Sequence, residues 1–564
     1  MAIGITAVPD SATVQEGLGA TLADRIRLTA QDRPDRPALL ADDRIVTWAD
    51  LDTAVDRTAA ALARTVQPDP TRPPTGAGTA AGPAARVAIA LGNGVDFVVA
   101  YFATLRAGLV AVPVNPDYTA PELRHVLADS GAKVLIGTAP VRELVAGLGA
   151  ELPALARSLP APPTAEPDTG AGGSPGGAGL DDLAVLLYTS GTTGRAKGAM
   201  LSHRALLANH EQLGRIEPPV LGPDDVVLLA LPLFHAYGLN SALGAVVHHG
   251  ACGVLVDRFE PAEGLALIAR HRVSVLVGVP SMFAGWAAAG ADRPASAGEL
   301  AAVRLAVCGA APLDPAVATR CAALFGTPVQ IGYGLTETAP VLTSTLPVDR
   351  PKPGSIGRPI PGVEVRLVSA AGDEFWRAQG RATRASTDGA GPDGTGPGDD
   401  GPELDLPSAG TDPGQLVVRG DNLFAGYWPD GRDGPDPDGW WPTGDVGYAD
   451  ADGDLFLVDR LGELILVNGF NVYPREVELV LEAHPQVRES AAVAVPDPRT
   501  GQAVEAYVVR TPGSSLTADE VLAHCATSLA RFKRPTRVRF VDTLPRSVIG
   551  KVRKTQLRSE YGDA

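Results

Sequence analysis

Cysteine is scarce. The chain has four in 564 residues, Cys252, Cys308, Cys321 and Cys525, and no C-x-x-C pair. That excludes a disulfide framework and a zinc site of ordinary spacing, and it fits a reducing, cytoplasmic setting. Positive charge is in deficit as well: 48 Lys and Arg stand against 65 Asp and Glu, a formal charge of −17. A chain so acidic is not expected to have nucleic acid or an anionic membrane as its main partner. Met1 to Val14 lacks the basic start and apolar core of a secretory signal. Val226 to Val256 has no charged residue and is long enough to span a bilayer. Pro232, His235, Asn240, His248, His249 and several glycines interrupt it, so it reads as strand, loop, helix and strand within a domain, with no transmembrane segment.

Apolar residues make up 45% and charged residues 20%, a globular composition, and the length suggests about three to four structural units. The 64 glycines and 50 prolines thicken in three tracts, Gln67 to Ala84, Pro160 to Gly179 and Thr387 to Gly414. The first reads as a surface loop, the second as a segment with too few apolar residues to offset the entropy of ordering, and the third as an insertion or tether. Between them, β-runs such as RVAIAL (86 to 91), LVAVPV (109 to 114) and AKVLIG (132 to 137) alternate with helical stretches. Strands separated by helices of ten or more residues imply crossover connections and parallel pairing. The fold class is therefore α/β, with mixed, largely parallel sheets. From Gly453 the texture changes to shorter alternating elements of α+β character. The expected division is a large domain over 1–459 and a small C-terminal domain over 460–564, with a cleft between them.

The richest stretch is Leu186 to His203, LLYTSGTTGRAKGAMLSH. Glycines let backbone N–H groups converge on an anion, Thr189, Ser190, Thr192 and Thr193 add hydroxyls, and Arg195 and Lys197 add charge. The pattern is not a Walker A loop, because Gly194 is followed by Arg195-Ala196-Lys197. Taken alone it is either a polyphosphate cradle or an ordinary Gly/Ser/Thr turn.

Further blocks follow it in order: LPLFHAYGLN (231 to 240), GYGLTETAP (332 to 340), WPTGDVGY (441 to 448), VDRLGELILVNGFNVYPREVE (458 to 478) and LPRSVIGKVRKTQLR (544 to 558). Together with YTSGTTGRAKG they closely resemble the adenylate-forming enzymes, the superfamily of acyl-CoA synthetases, luciferases and adenylation domains. GFNVYPREVE is most similar to the medium- and long-chain fatty acyl-CoA ligases. The resemblance covers nearly the whole chain apart from the three tracts.

It implies ATP, Mg2+ and coenzyme A as co-reactants: a small-molecule carboxylic acid and ATP give an acyl-adenylate and pyrophosphate, then a thiol gives the thioester and AMP. It implies further that Lys551 is the catalytic lysine, that Glu337 is the magnesium-associated carboxylate with Thr336 beside it, and that Thr189, Ser190, Gly191, Thr192, Thr193, Gly194 and Lys197 hold phosphates. By the same resemblance Tyr333, Gly309 and Ala310 receive adenine and the acyl carboxyl, Asp445 and Arg460 the ribose, and Gly469 and Phe470 the pantetheine arm. His235 is expected to position substrate at the acyl-pocket mouth. That block lacks the aspartate with which amino-acid-activating members hold an α-ammonium group, which disfavours an amino acid substrate. A carrier protein as thiol acceptor and an aryl acid as substrate stay open. The basic segment RFKRPTRVRF (531 to 540) reads as a solvated strand.

Three positions depart from the family pattern. Ala196 stands where proline is usual, Gln415 where a glutamate precedes the VRG strand, and Gly462 where Asp or Lys marks the hinge. The last is expected to leave adenylation intact while altering its balance with thioesterification, because glycine permits rotation but cannot hold either end state.

Overall fold

Leu305–Gly309 (LAVCG) and Val275–Gly278 (VLVG) are apolar on both faces, the pattern of a parallel strand covered on each side. The computed structural model places both in the interior of a fourteen-stranded sheet. It describes residues 21–41, 44–66, 84–164, 178–189, 196–291, 298–348, 350–369, 371–380, 410–460, 463, 465–467, 470–546, 552–554 and 556–557, with backbone alone at 459–460 and 470–471.

In the large sheet Pro37–Ala41, Cys252–Leu255, Val226–Leu229, Val275–Gly278, Leu305–Gly309 and Val329–Gly334 run parallel, in that spatial order. Beyond Gly334 the chain reverses into Val341–Ser344, and every further pairing out to Glu374–Gln379 is antiparallel. A six-stranded sheet holds Arg157–Leu159, Val134–Gly137, Arg86–Ala90, Val110–Pro113 and Leu183–Thr189 in parallel, closed by the antiparallel Lys197–Ser202. Helix Val95–Arg106 (VDFVVAYFATLR) is buried almost all round, as its nearly unbroken apolar sequence requires. Its one buried charge, Arg106, is neutralised by Asp52 at 2.6 Å and Asp56 at 2.8 Å.

The charge-free stretch resolves into strand Val226–Leu229, a π-helical segment Tyr237–Gly244, a short helix Ala245–His249 and strand Cys252–Leu255. Among the described residues no helix is long and apolar enough to cross a membrane. Leu455–Arg460 is the last strand of the large sheet in sequence, and Ile465–Val467 already belongs to a separate five-stranded sheet. That sheet carries helices Pro474–Glu482 and Ala518–Ser528, the second closed by a Thr517–Glu520 capping box. The basic segment is partnered by acid: Arg537 and Arg539 reach the buried Glu505, and Lys533 reaches Glu476. The low-complexity interiors at 165–177 and 381–409 lie outside the described residues.

Candidate active site

In an open parallel sheet the carboxyl ends of the strands form the natural ligand crevice. Here Leu305–Gly309 and Val329–Gly334 end together, with Gly309 and Gly332 in register. Ala310 follows at φ +71°, a left-handed backbone that residues with a Cβ adopt at a cost. A side chain at Gly309 would meet the ring of Tyr237 at 2.9 Å, so only glycine lets the two approach. Gly309, Ala310, Gly332, Tyr333, Thr336 and Glu337 all line one cavity of about 1790 Å³.

The next turn is held just as tightly. A Cβ at Gly334 would lie 1.7 Å from the carbonyl oxygen of Pro340, because the chain doubles back through the 3-10 turn Thr336–Thr338. Glu337, on that turn, is buried, and its Oε1 accepts a hydrogen bond from the Tyr427 hydroxyl at 2.7 Å. The Lys197 ammonium lies 4.8 Å from the centre of the same Tyr427 ring and pairs with Asp433 at 3.1 Å. Tyr427 and Asp433 therefore join the basic strand after the glycine loop to the buried glutamate, and both line the cavity.

Across the crevice the Tyr333 hydroxyl donates to Asp445 Oδ2 at 2.6 Å. Asp445 is buried, its backbone N–H donates to Thr443 Oγ1 at 3.1 Å, and it pairs in register with Arg460 on the neighbouring strand. Thr189 pairs with Lys197 at the mouth of a hairpin whose connection contains the glycine loop. His125 Nε2 hydrogen-bonds the Ala196 carbonyl at 2.7 Å, an anchor at the base of that loop. Tyr188 bonds Asp129 at 2.6 Å; burial, then this carboxylate, pushes the Tyr188 phenol upward and keeps it protonated.

His235 lines the cavity, its ring 5.0 Å from that of Phe234. Val552, Arg553 and Lys554 line it from the C-terminal side, Lys554 being held by Glu478 at 2.8 Å and Glu463 at 3.0 Å. Of the sequence-derived set, Thr189, Lys197, His235, Gly309, Ala310, Tyr333, Thr336 and Glu337 thus share one cavity, and Asp445 is bonded to its wall. Ser190, Gly191, Thr192, Thr193, Gly194, Gly462, Gly469 and Lys551 lie outside the described residues, as do the side chains of Arg460 and Phe470.

From the crevice the cavity runs back along the face of the sheet. Gly309 and Gly332 form its first row, Val307 and Val277 the second, and Leu305, Val275 and Val227 the third. Every second residue of a strand faces the same way, so these rows form a continuous apolar floor, and the four steps from Gly309 to Leu305 span about 13 Å. Tyr237 stands over the second row, its hydroxyl donating to the Val307 carbonyl at 3.4 Å.

Among the described residues no three His, Cys, Asp or Glu side chains gather as a cage for a metal. One buried carboxylate beside threonine hydroxyls is nevertheless the donor set that suits magnesium, which takes few carboxylates and completes its shell with phosphate and water.

Comparison with known proteins matches the family described as AMP-binding enzyme over residues 26–380 and the AMP-binding enzyme C-terminal domain over 476–551. Feruloyl-CoA synthase of an Amycolatopsis species is 35% identical, covering 97% of this chain and 99% of its own. A long-chain-fatty-acid–CoA ligase of Yersinia pestis is 34% identical over 84% of this chain and 85% of its own. Among solved structures, ATP-bound MatB from Rhodopseudomonas palustris superimposes with a TM-score of 0.78 at 31% identity, covering 97% of this chain and 99% of that one.

Proposed function

The chain belongs to the AMP-binding enzyme family as an ATP-dependent acyl-CoA ligase acting through an acyl-adenylate, and from that premise we propose that its acid has an extended apolar body, as a medium- or long-chain fatty acid does. The observation that carries this reading is the valine- and leucine-floored cavity leading away from Gly309. Burying a chain against such a floor stabilises it by roughly 0.8 kcal/mol per methylene. An aryl acid is the second reading, favoured by the 35% identity to feruloyl-CoA synthase over nearly the whole chain.

In this reading the acid's carboxylate comes to rest beside Gly309 and Ala310, against the α-phosphate of ATP. Like charges repel there, so fixed cations and donors do most of the catalytic work. Lys551 supplies the bridging charge between carboxylate and α-phosphate oxygens. Thr189, residues 190–194 and Lys197 hold the β- and γ-phosphates, so that pyrophosphate leaves from a site that already neutralises it. Lys197 reaches the phosphates by exchanging Asp433 for them. Asp445, aligned by Tyr333, accepts hydrogen bonds from the ribose hydroxyls, and the Tyr333 ring faces adenine. Magnesium, when bound, neutralises phosphate charge; Glu337 and Thr336 are the residues that would hold it. His235 closes the cavity mouth and orients the acid.

The small C-terminal domain then turns about the segment near Gly462, withdrawing Lys551 and presenting Gly469 and Phe470 to the pantetheine thiol. The test is pyrophosphate release with a panel of carboxylates, with and without coenzyme A, followed by mass detection of the thioester. Pyrophosphate and thioester with apolar-bodied acids support the proposal. Pyrophosphate without consumption of coenzyme A would point instead to a carrier-protein thiol.

A further inference from the structure

The apolar floor does not continue to the end of the cavity. At the amino ends of the strands, beyond the row of Leu305, Val275 and Val227, the chain places histidines. His210, on helix His203–Gly214, stacks on His248 with ring centroids 5.1 Å apart, and His248 meets His249 edge-on at 4.8 Å. His210 and His249 line the cavity together with Ser241, Leu213, Val220 and Leu221. His210 Nε2 bonds Asn240 Oδ1 at 3.0 Å, and Asn240 is fixed in turn by the Ala339 carbonyl at 2.8 Å. Among the described residues Ser241 Oγ and His248 Nδ1 are buried without a hydrogen-bond partner.

A methyl-ended chain has no use for such an end. Valine or leucine would fill the same space without leaving buried donors and acceptors unpaired, a state that costs stability. Nor does the end suit a second carboxylate. Burial is the largest influence on all three imidazoles, and it lowers His210 to about 3, His248 to about 2 and His249 to about 4. They are neutral at physiological pH, and a neutral imidazole offers one donor and one acceptor but no charge. Neither Arg25, whose charge lowers all three imidazoles further, nor Asp225, which is engaged by Arg304 and by Ser274 at 2.7 Å, lines the cavity.

We propose that the histidine-lined end of the cavity is a subsite for an uncharged hydroxyl, aliphatic or phenolic, carried by the acid at the end remote from its carboxyl. The inference rests on the reading that the cavity holds the body of the acid. The strand geometry sets the separation, since the subsite lies beyond about 13 Å of floor counted from Gly309. The hydroxyl would pair with Ser241 Oγ, which lines the cavity and which the fold leaves unmet, and a substrate lacking it would bury that group unpaired. Sites built to bond a substrate hydroxyl discriminate far more sharply than apolar ones.

The full chain is assayed for pyrophosphate release with ATP, Mg2+ and coenzyme A on length-matched acids: decanoic, 10-hydroxydecanoic and decanedioic acid, and 6-phenylhexanoic against 6-(4-hydroxyphenyl)hexanoic acid. The expected result is a kcat/KM at least tenfold higher for the hydroxy acid in one matched pair, and collapse of that ratio toward one in His249→Leu. The wild-type ratio stands whether or not the variant folds. Equal kcat/KM within both pairs, or preference for the dicarboxylate, would overturn the subsite alone. Pyrophosphate with none of these acids would overturn the reading of the cavity and the subsite with it.

Discussion

The Tyr427 hydroxyl donates to Glu337 Oε1 at 2.7 Å, while the Lys197 ammonium lies 4.8 Å from the centre of the Tyr427 ring. One aromatic side chain therefore touches both charges that the proposed mechanism turns toward the phosphates. A hydrogen bond to a buried carboxylate is worth about 1.5–3 kcal/mol, and each 1.4 kcal/mol is tenfold in rate. Tyr427→Phe should lower the adenylation kcat/KM by roughly ten- to a hundredfold and raise the Mg2+ concentration needed for half-maximal rate. Conversion of presupplied acyl-adenylate to thioester should be little affected. Initial rates across a Mg2+ titration check it, and an unchanged Mg2+ requirement would remove Tyr427 from this role.

Asp445 is held by Tyr333 at 2.6 Å and by its own backbone bond to Thr443. Asp445→Ala should raise the KM for ATP tenfold or more and leave the KM for the acid within about twofold, because ribose hydrogen bonds to a charged acceptor are worth roughly 1.5–3 kcal/mol. A parallel rise in both KM values would mean that the substitution disturbs the crevice as a whole.

Gly334 faces the Pro340 carbonyl so closely that an added Cβ would lie 1.7 Å from its oxygen. Neither backbone can yield without moving the turn that carries Glu337. Gly334→Ala should therefore lower adenylation at least a hundredfold and cost about 1–3 kcal/mol of stability by overpacking. Thermal unfolding alongside the pyrophosphate assay separates the two effects.

His203, His210, His248 and His249 are all lowered, mainly by burial, to between about 2 and about 4. Above pH 6.5 they are neutral whether the chain is folded or unfolded, and they add no pH dependence. Below pH 6.5 the unfolded chain takes up protons that the folded chain refuses, so stability falls as pH drops toward 4, by about 1.4 kcal/mol per pH unit for each such histidine. The melting temperature should drop between pH 7.5 and pH 5, and His248→Phe should shallow that slope. A flat profile across this range would contradict the buried, neutral state of the cluster.

Lys551→Ala should abolish acyl-adenylate formation yet retain thioester formation from presupplied acyl-adenylate and coenzyme A. Equal loss of both steps would contradict a mobile domain that serves each step with a different face. Gly462→Lys should change the ratio of the two single-turnover rates, and unchanged rates would show that this position holds neither end state.

The parallel strands were legible because LAVCG, VLVG and RVAIA are short apolar runs bounded by turn residues, and the helices between them carry the matching period. The candidate site residues were named by the resemblance of their blocks to a family and not by any local period, and the structure brings Thr189, Lys197, His235, Gly309, Ala310, Tyr333, Thr336 and Glu337 to one cavity. Tyr427 was not, since it sits in a Gly-, Pro- and Asp-rich turn 90 residues from Glu337 and nothing in that turn signals its partner. His125 reads as one polar face of a helix until the Ala196 carbonyl, 71 residues on, is seen beside it. In the sequence His248 and His249 only interrupt an apolar stretch; their meaning depends on His210 of helix His203–Gly214, against which they are set by the short helix that follows a π-helical segment of no readable period.

The rows under the cavity carry a consequence for how acid length is chosen. Because only alternate residues of a strand face the cavity, the floor offers blocking positions about 6.7 Å apart and none between them. Enlarging Val307 or Val277 would stop the chain after one step, and enlarging Leu305, Val275 or Val227 after two. Selectivity for acid length in this scaffold is thus graduated, in increments of about five to six carbon atoms, and intermediate lengths must be set by the helices overhead.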